Sequence, residues 1–220
     1  MRQFVADASH ELRTPLATIH GYAELSHRTP DDPVALAAAL EKVQTEADRM
    51  GGLVEDLLLL ARLDAGRPLE RTEVDLTRLL LESVADARVL SPSHRWQLEL
   101  PDEPVSVIGD ERRLHQVVTN LLSNARHHTP PGTTITVSTS RHADHSEVVV
   151  RDDGPGFPDG LASRAFERFT RGDSSRTRAS GGAGLGLSLV SAIAHAHGGT
   201  ASVESRPGCT AFTISLPNVV

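Results

Sequence analysis

The sequence predicts a helical hairpin that forms a dimeric four-helix bundle, followed by an α+β sandwich. Two observations carry this. Before about residue 66, apolar residues recur at alternating steps of four and three: Leu36, Leu40, Val43, Ala47, Met50, Val54, Leu57 and Ala61. Such a sustained stripe marks a coiled coil or helical bundle. From about Val74 the pattern changes, and helical stretches alternate with short β-branched runs.

In the first segment, Asp31, Asp32 and Pro33 supply the start of the second helix, and Gly66 and Pro68 its stop. The first helix carries a weaker stripe of Val5, Ala8, Leu12, Ile19 and Tyr22, and Arg28 to Pro33 forms the turn. Two helices cannot enclose a core alone. Either the hairpin packs on the rest of the chain or two copies pair, and the length of the stripe favours pairing.

In the second segment Leu76 to Val89 reads as a helix and Trp96 to Leu100 as a strand. Asp110 to His127 is a strongly amphipathic helix carrying Leu114, Val117, Val118, Leu121 and Leu122. Thr134 to Ser140 and Glu147 to Arg151 are strands. A helix over Leu187 to His197 ends at Gly198-Gly199, and two strands close the chain. Helices on one face of a mostly antiparallel sheet follow from this order. The domain boundaries expected are 1–66, a linker 67–73, and 74–220.

Composition narrows the function. The 220 residues carry a formal charge of −7, which argues against a general nucleic-acid binder. Aromatic residues make up 3% of the chain, so its cores rest on Leu, Val, Ile and Ala. Cys209 is the single cysteine, which excludes an internal disulfide framework and fits a reducing compartment. No apolar run approaches the roughly 18 residues needed to cross a bilayer, and a soluble chain without a signal peptide is expected. Lys42 is the only lysine among 22 basic residues, so anion chemistry falls to Arg and His.

Four motifs follow in order. Phe4 to Leu16 contains His10-Glu11-Leu12-Arg13-Thr14-Pro15, in which His10 points off the buried stripe and Pro15 predicts a bend beside it. Asn120 and Asn124 lie four apart, so both amides share a helix face; amide oxygens are hard ligands suited to Mg²⁺. Asp152-Asp153-Gly154-Pro155-Gly156 leaves a strand, where glycines admit close backbone approach and a carboxylate can accept from an exocyclic amine. Gly182-Ala183-Gly184-Leu185-Gly186-Leu187 opens a helix, an anion-binding arrangement. Its position near the chain's end argues against a Rossmann unit. Each motif alone has an ordinary structural reading.

Together they resemble the transmitter core of the two-component sensor histidine kinases, from about Phe4 to Pro217. The motifs correspond to that family's H, N, G1 and G2 boxes, with Phe166-Glu167-Arg168-Phe169 as the F box. The resemblance implies a dimerisation and phosphotransfer bundle ahead of an ATP-binding domain of the type shared with gyrase, heat-shock chaperones and mismatch-repair ATPases. It implies His10 as phosphoacceptor, Glu11 as its acid/base neighbour, and Thr14 as a positioner of water for dephosphorylating the partner. It implies ATP and Mg²⁺ as cofactors, with Asn124 on the metal and Asn120 nearby. Asp152 would read the adenine amino group beside Gly154 and Gly156. Arg168, Arg171, Gly182, Gly184, Leu185, Gly186 and Leu187 would belong to the lid and phosphate site. Further implied are a homodimer, a response regulator receiving the phosphoryl group on aspartate, no nucleic-acid partner, and a cytoplasmic location. This stretch would make no membrane contact, while the parent protein would be membrane-anchored through a sensor preceding the first helix.

One departure stands out. Relatives place a lysine and an aromatic where this chain has His127 and His128. Either His127 contacts the phosphates, or Arg126, Arg171, Arg176 or Arg178 supplies the charge and His127 is a tolerated substitution. His195 and His197 resemble a metal pair but read as a structural helix end. Two rival functions remain open from sequence. An ATPase or serine-directed kinase with the same nucleotide domain leaves His10 and the stripe without purpose. A non-catalytic dimeric scaffold predicts eroded G1 or G2 glycines, which are intact.

Overall fold

The structure, a computed structural model, describes residues 2–28, 32–170 and 183–218. It divides into two compact units, 1–62 and 63–220.

The first unit consists of two long helices, α1 (Arg2–Arg28) and most of α2 (Pro33–Asp64). Asp32 starts α2: its carboxylate accepts from the N–H groups of Val34 and Ala35, both at 3.0 Å, satisfying donors that a helix start leaves open. On α1, Ala8 and Pro15 are buried, with Leu12, Ile19 and Tyr22 half-buried, so the predicted stripe from Ala8 on is the inward face and Pro15 completes it; the Val5 side chain lies outside the described residues. The helix runs on through Pro15.

On α2 the outcome differs from the stripe. The buried positions are Ala39, Leu53, Leu59 and Leu60, with Val43, Met50 and Leu57 half-buried. Leu40 (56%), Val54 (42%) and Leu58 (53%) remain exposed. The helix is apolar on two adjacent faces, and a single chain covers one of them.

In the second unit, α3 (Leu76–Leu90), α4 (Glu111–His128) and α5 (Gly186–Ala196) accompany a five-stranded sheet. Its strands are β2 (Arg95–Glu99), β4 (Thr134–Arg141), β5 (His145–Asp152), β7 (Cys209–Pro217) and β6 (Thr200–Arg206), in that spatial order. All pairs are antiparallel except β2–β4, which is parallel. A small separate antiparallel pair joins β1 (Thr72–Asp75) to β3 (Ser106–Gly109). Neither short strand follows from the periodicity of the sequence.

Aspartates cap two helices. Asp75 accepts from Arg78 N–H at 3.0 Å and Asp110 from Arg113 N–H at 3.1 Å. On α4, Leu114, Val117, Val118, Leu121, Leu122 and Ala125 are buried, a spacing that lines one helical face. On β7 burial alternates residue by residue, so Phe212, Ile214 and Leu216 face inward with Leu189, Val190 and Ile193 of α5 also buried. Phe157 and Phe166 meet Phe212 edge-on, with centroids 5.9 and 6.3 Å away. Among the described residues, no helix is long and apolar enough to cross a membrane.

Candidate active site

His10 sits on α1 and is exposed, as is Thr14 one turn further on, while Glu11 is half-buried. Spacing of four places His10 and Thr14 on one helical face. The buried Pro15 at the next position holds that face outward.

A cleft with about 240 Å³ of open space lies in the second unit between α4 and the C-terminal end of β5. Asn124, Ala125, His128 and Thr129 line it from α4 and its cap, Asp152 from β5, and Pro155, Gly156 and Phe157 from the following loop. Thr210 of β7 completes the lining because it stands directly opposite Asp152 in the β5–β7 register. The motif reading missed Thr210, Thr129 and Phe157. Thr210 is 58 positions from Asp152, and only strand register brings them together.

Asp152 is buried, and its Oδ1 accepts from Gly154 N–H at 3.0 Å, which leaves Oδ2 for a ligand. Burial raises its pKa above the ordinary carboxylate value; the Gly154 bond opposes this and the neighbouring Asp153 adds to it. Asp153 has a different task, accepting from Thr134 N–H at 2.7 Å and tying the loop to β4. Gly156 has φ +80°, and a Cβ there would lie 2.7 Å from the backbone of Arg206. Gly208 N–H donates to Gly154 O at 2.8 Å and Phe157 N–H to Ser205 Oγ at 2.8 Å, so the β6–β7 turn supports the loop.

The start of α5 carries no side-chain cap and no acid in its first turn. Its open N–H groups and positive dipole end suit an anion. Asn120 Nδ2 donates to Gly186 O at 3.3 Å, which joins the asparagine pair of α4 to this helix start. Leu185 is buried and Leu187 half-buried, anchoring the same turn. Gly184, at φ +72°, accepts at its carbonyl from Phe169 N–H at 2.9 Å, and a Cβ on it would strike the Phe169 backbone at 2.9 Å. Gly182 and Arg171 lie outside the described residues, as do Arg176 and Arg178.

The remaining predicted residues are placed as follows. Arg168 Nη2 donates to both carboxylate oxygens of Asp64, at 2.7 and 2.8 Å. His127 is exposed; its Nδ1 meets Ser123 O at 2.7 Å, and Arg126 Nη2 stands 3.3 Å from its Nε2. His128, not His127, lines the cleft. His197 uses both ring nitrogens structurally, Nε2 accepting from Asp110 N–H at 3.0 Å and Nδ1 donating to Ile193 O at 2.8 Å.

Comparison with known proteins agrees with both halves. Residues 1–66 match the family described as His Kinase A (phospho-acceptor) domain. Residues 109–220 match the family described as Histidine kinase-, DNA gyrase B-, and HSP90-like ATPase. Probable sensor histidine kinase TcrY of Mycobacterium tuberculosis is 58% identical over 99% of this chain and 46% of its own length, so the chain spans about half of that relative. Among solved structures, Acinetobacter baumannii histidine kinase AdeS superposes with a TM-score of 0.73 at 26% identity, covering 94% of this chain and 97% of that one. Histidine kinase ThkA in complex with response regulator protein TrrA gives 0.77 at 25% identity, over 99% of this chain and 61% of that one. A phospho-acceptor helix pair with an exposed histidine, followed by an ATPase domain that has a cleft with a buried aspartate and an uncapped helix start, places this chain in the sensor histidine kinase family.

Proposed function

We propose that the chain transfers the γ-phosphoryl group of ATP to His10 and passes it to an aspartate of a response regulator. The observation that carries this is the exposure of His10, with Thr14, on the outward face of a helix whose other face is organised by buried apolar residues. In the attack, a lone pair on neutral imidazole forms the N–P bond while the bond from phosphorus to the ADP oxygen breaks. The ring is then cationic and loses its N–H proton, for which Glu11 is the adjacent acceptor.

The cleft residues bind and orient. Asp152 Oδ2 accepts from the adenine amine, Gly154 and Gly156 let the backbone approach the base, and the α5 amides with Gly184 and Gly186 hold phosphate. The Asn124 amide oxygen fits Mg²⁺, a hard cation that takes few protein ligands; bound there, the metal supplies charge neutralisation on the phosphates. Arg126 and His128 are the described cationic candidates on this side of α4, and His127 joins them only by leaving Ser123. The TrrA complex of ThkA supports a receiver domain as the partner. A membrane anchor in the parent protein belongs to the same proposal.

Incubation with γ-labelled ATP followed by acid treatment tests the reading. Loss of label in acid and retention in base mark phosphohistidine; an acid-stable product overturns it in favour of a hydroxyl-directed kinase. Thr14→Ala is expected to leave His10 labelling unchanged and to slow dephosphorylation of the regulator about tenfold, since a residue one turn from His10 can orient water there. Equal dephosphorylation rates remove Thr14 from the mechanism.

The uncovered face of α2 fits a second copy of this chain, completing a four-helix bundle. Leu40→Glu combined with Val54→Glu buries two unpaired charges in that interface and is expected to weaken dimerisation at least about 100-fold. Sedimentation equilibrium reads this, and an unchanged dimer assigns the face to another partner.

A further inference from the structure

At the far end of β5 from Asp152, the β4–β5 hairpin gathers four ionisable side chains. His145 Nε2 lies 3.2 Å from Glu147 Oε1, and His142 Nε2 lies 3.5 Å from Glu147 Oε2. The two imidazoles stack at 4.6 Å with planes 18° apart, and one donor atom from each of the three residues falls within 4.8 Å of the others. A tetrahedral Zn²⁺ with bonds of about 2.0–2.2 Å sets its ligand atoms roughly 3.3–3.5 Å apart, close to the gap from each imidazole to its nearer Glu147 oxygen.

Two features separate this cluster from a chance meeting of surface charges. His145 Nδ1 is 2.6 Å from Asp144 Oδ1, the outer carboxylate that fixes a metal-binding histidine with its Nε2 lone pair outward. The turn is also pinned. Asn218 donates from its N–H to Asp144 O at 3.2 Å and from Nδ2 to His142 O at 2.8 Å, and accepts from Ser146 Oγ at 2.7 Å. His142 Nε2 is 3.2 Å from Ser140 Oγ, a bond that a metal would displace.

We propose that His142, His145 and Glu147 bind one divalent transition-metal ion of the Zn²⁺ class, with Asp144 positioning His145. Two imidazole nitrogens and one carboxylate oxygen favour such borderline ions over Mg²⁺. Three protein ligands leave a coordination position open to water or an outside group. Glu147 stands five positions along β5 from Asp152 and His145 seven, roughly 16 and 23 Å at about 3.3 Å per residue, so the site is distinct from the nucleotide's own metal.

The test is a Zn²⁺ titration against a chromophoric chelator at about pH 8, which limits competition from protons for the ligands. Excess Mg²⁺ fills hard-ligand sites, and Cys209→Ser serves as the parent. One Zn²⁺ per chain is expected. His142→Gln, His145→Asn and Glu147→Gln should each weaken it at least tenfold, Asp144→Asn about tenfold, and His115→Gln on α4 not at all. Binding of a non-hydrolysable ATP analogue, measured separately, should be the same in every variant, which shows intact folding and keeps this outcome apart from the kinase reading. A parent that binds no Zn²⁺, or affinity unchanged in both His145→Asn and Glu147→Gln, overturns the proposal.

Discussion

His10→Gln is expected to abolish incorporation of phosphate from γ-labelled ATP, with affinity for a non-hydrolysable ATP analogue staying within about twofold of the parent. Glutamine keeps a polar side chain of similar reach but has no nitrogen lone pair able to attack phosphorus. His10 is exposed on α1, so the exchange removes no packing, and surface substitutions of this kind usually shift stability by about 0.5 kcal/mol or less. Every described residue lining the cleft proposed for the nucleotide comes from the second unit, which is why nucleotide affinity is the control. Residual acid-labile label in the variant moves the phosphoacceptor to another histidine. A large loss of nucleotide affinity contradicts the division of labour between the units.

The elements that sequence predicted well are those whose burial pattern is local. The amphipathic spacing of α4 and the alternation along β7 repeat within a few residues, so periodicity alone locates them. The four-residue strands β1 and β3 are too short to display a period, and their pairing joins residues more than thirty positions apart. The same limit hid Thr210, whose place in the cleft depends on the β5–β7 register, and the parallel pairing of β2 with β4.

On α2 the stripe runs as read, but Ala39, Leu53 and Leu60 beside it are the positions covered within one chain while Leu40 and Val54 of the stripe stay exposed, a division that only packing decides. Motif spacing located Asp152, Asn120 and Asn124 because each depends on the geometry of one element. It also singled out Arg168, but not the bond from Arg168 to Asp64, a pairing across 104 positions. The His142, His145 and Glu147 cluster depends on the turn as well as the strand: His145 and Glu147 share a face of β5, and only the turn brings His142 to them.

Asp152→Asn is expected to weaken ATP-analogue binding by about 10- to 150-fold without weakening the fold. Losing a charged acceptor toward the adenine amine costs roughly 1.5–3 kcal/mol. Discrimination against a GTP analogue should fall as well, because an amide presents either a donor or an acceptor to the base. Stability moves the other way. Burial holds the Asp152 pKa above its unfolded value, so the folded chain keeps a proton that the unfolded chain has released. Stability from this group is therefore greatest below the unfolded pKa of about 4 and is lost as pH rises through the folded value. Above that folded value the parent carries the cost of an ionised buried carboxylate. Asparagine carries none, and its carbonyl oxygen can still accept from Gly154 N–H. The variant should accordingly melt at or above the parent's temperature near pH 7, with a shallower decline as pH rises from the acidic range. Calorimetric titration with both analogues, beside thermal melts across pH, separates the two roles. Lower affinity with a lower melting temperature would make Asp152 a structural residue, and unchanged affinity would remove it from the adenine site.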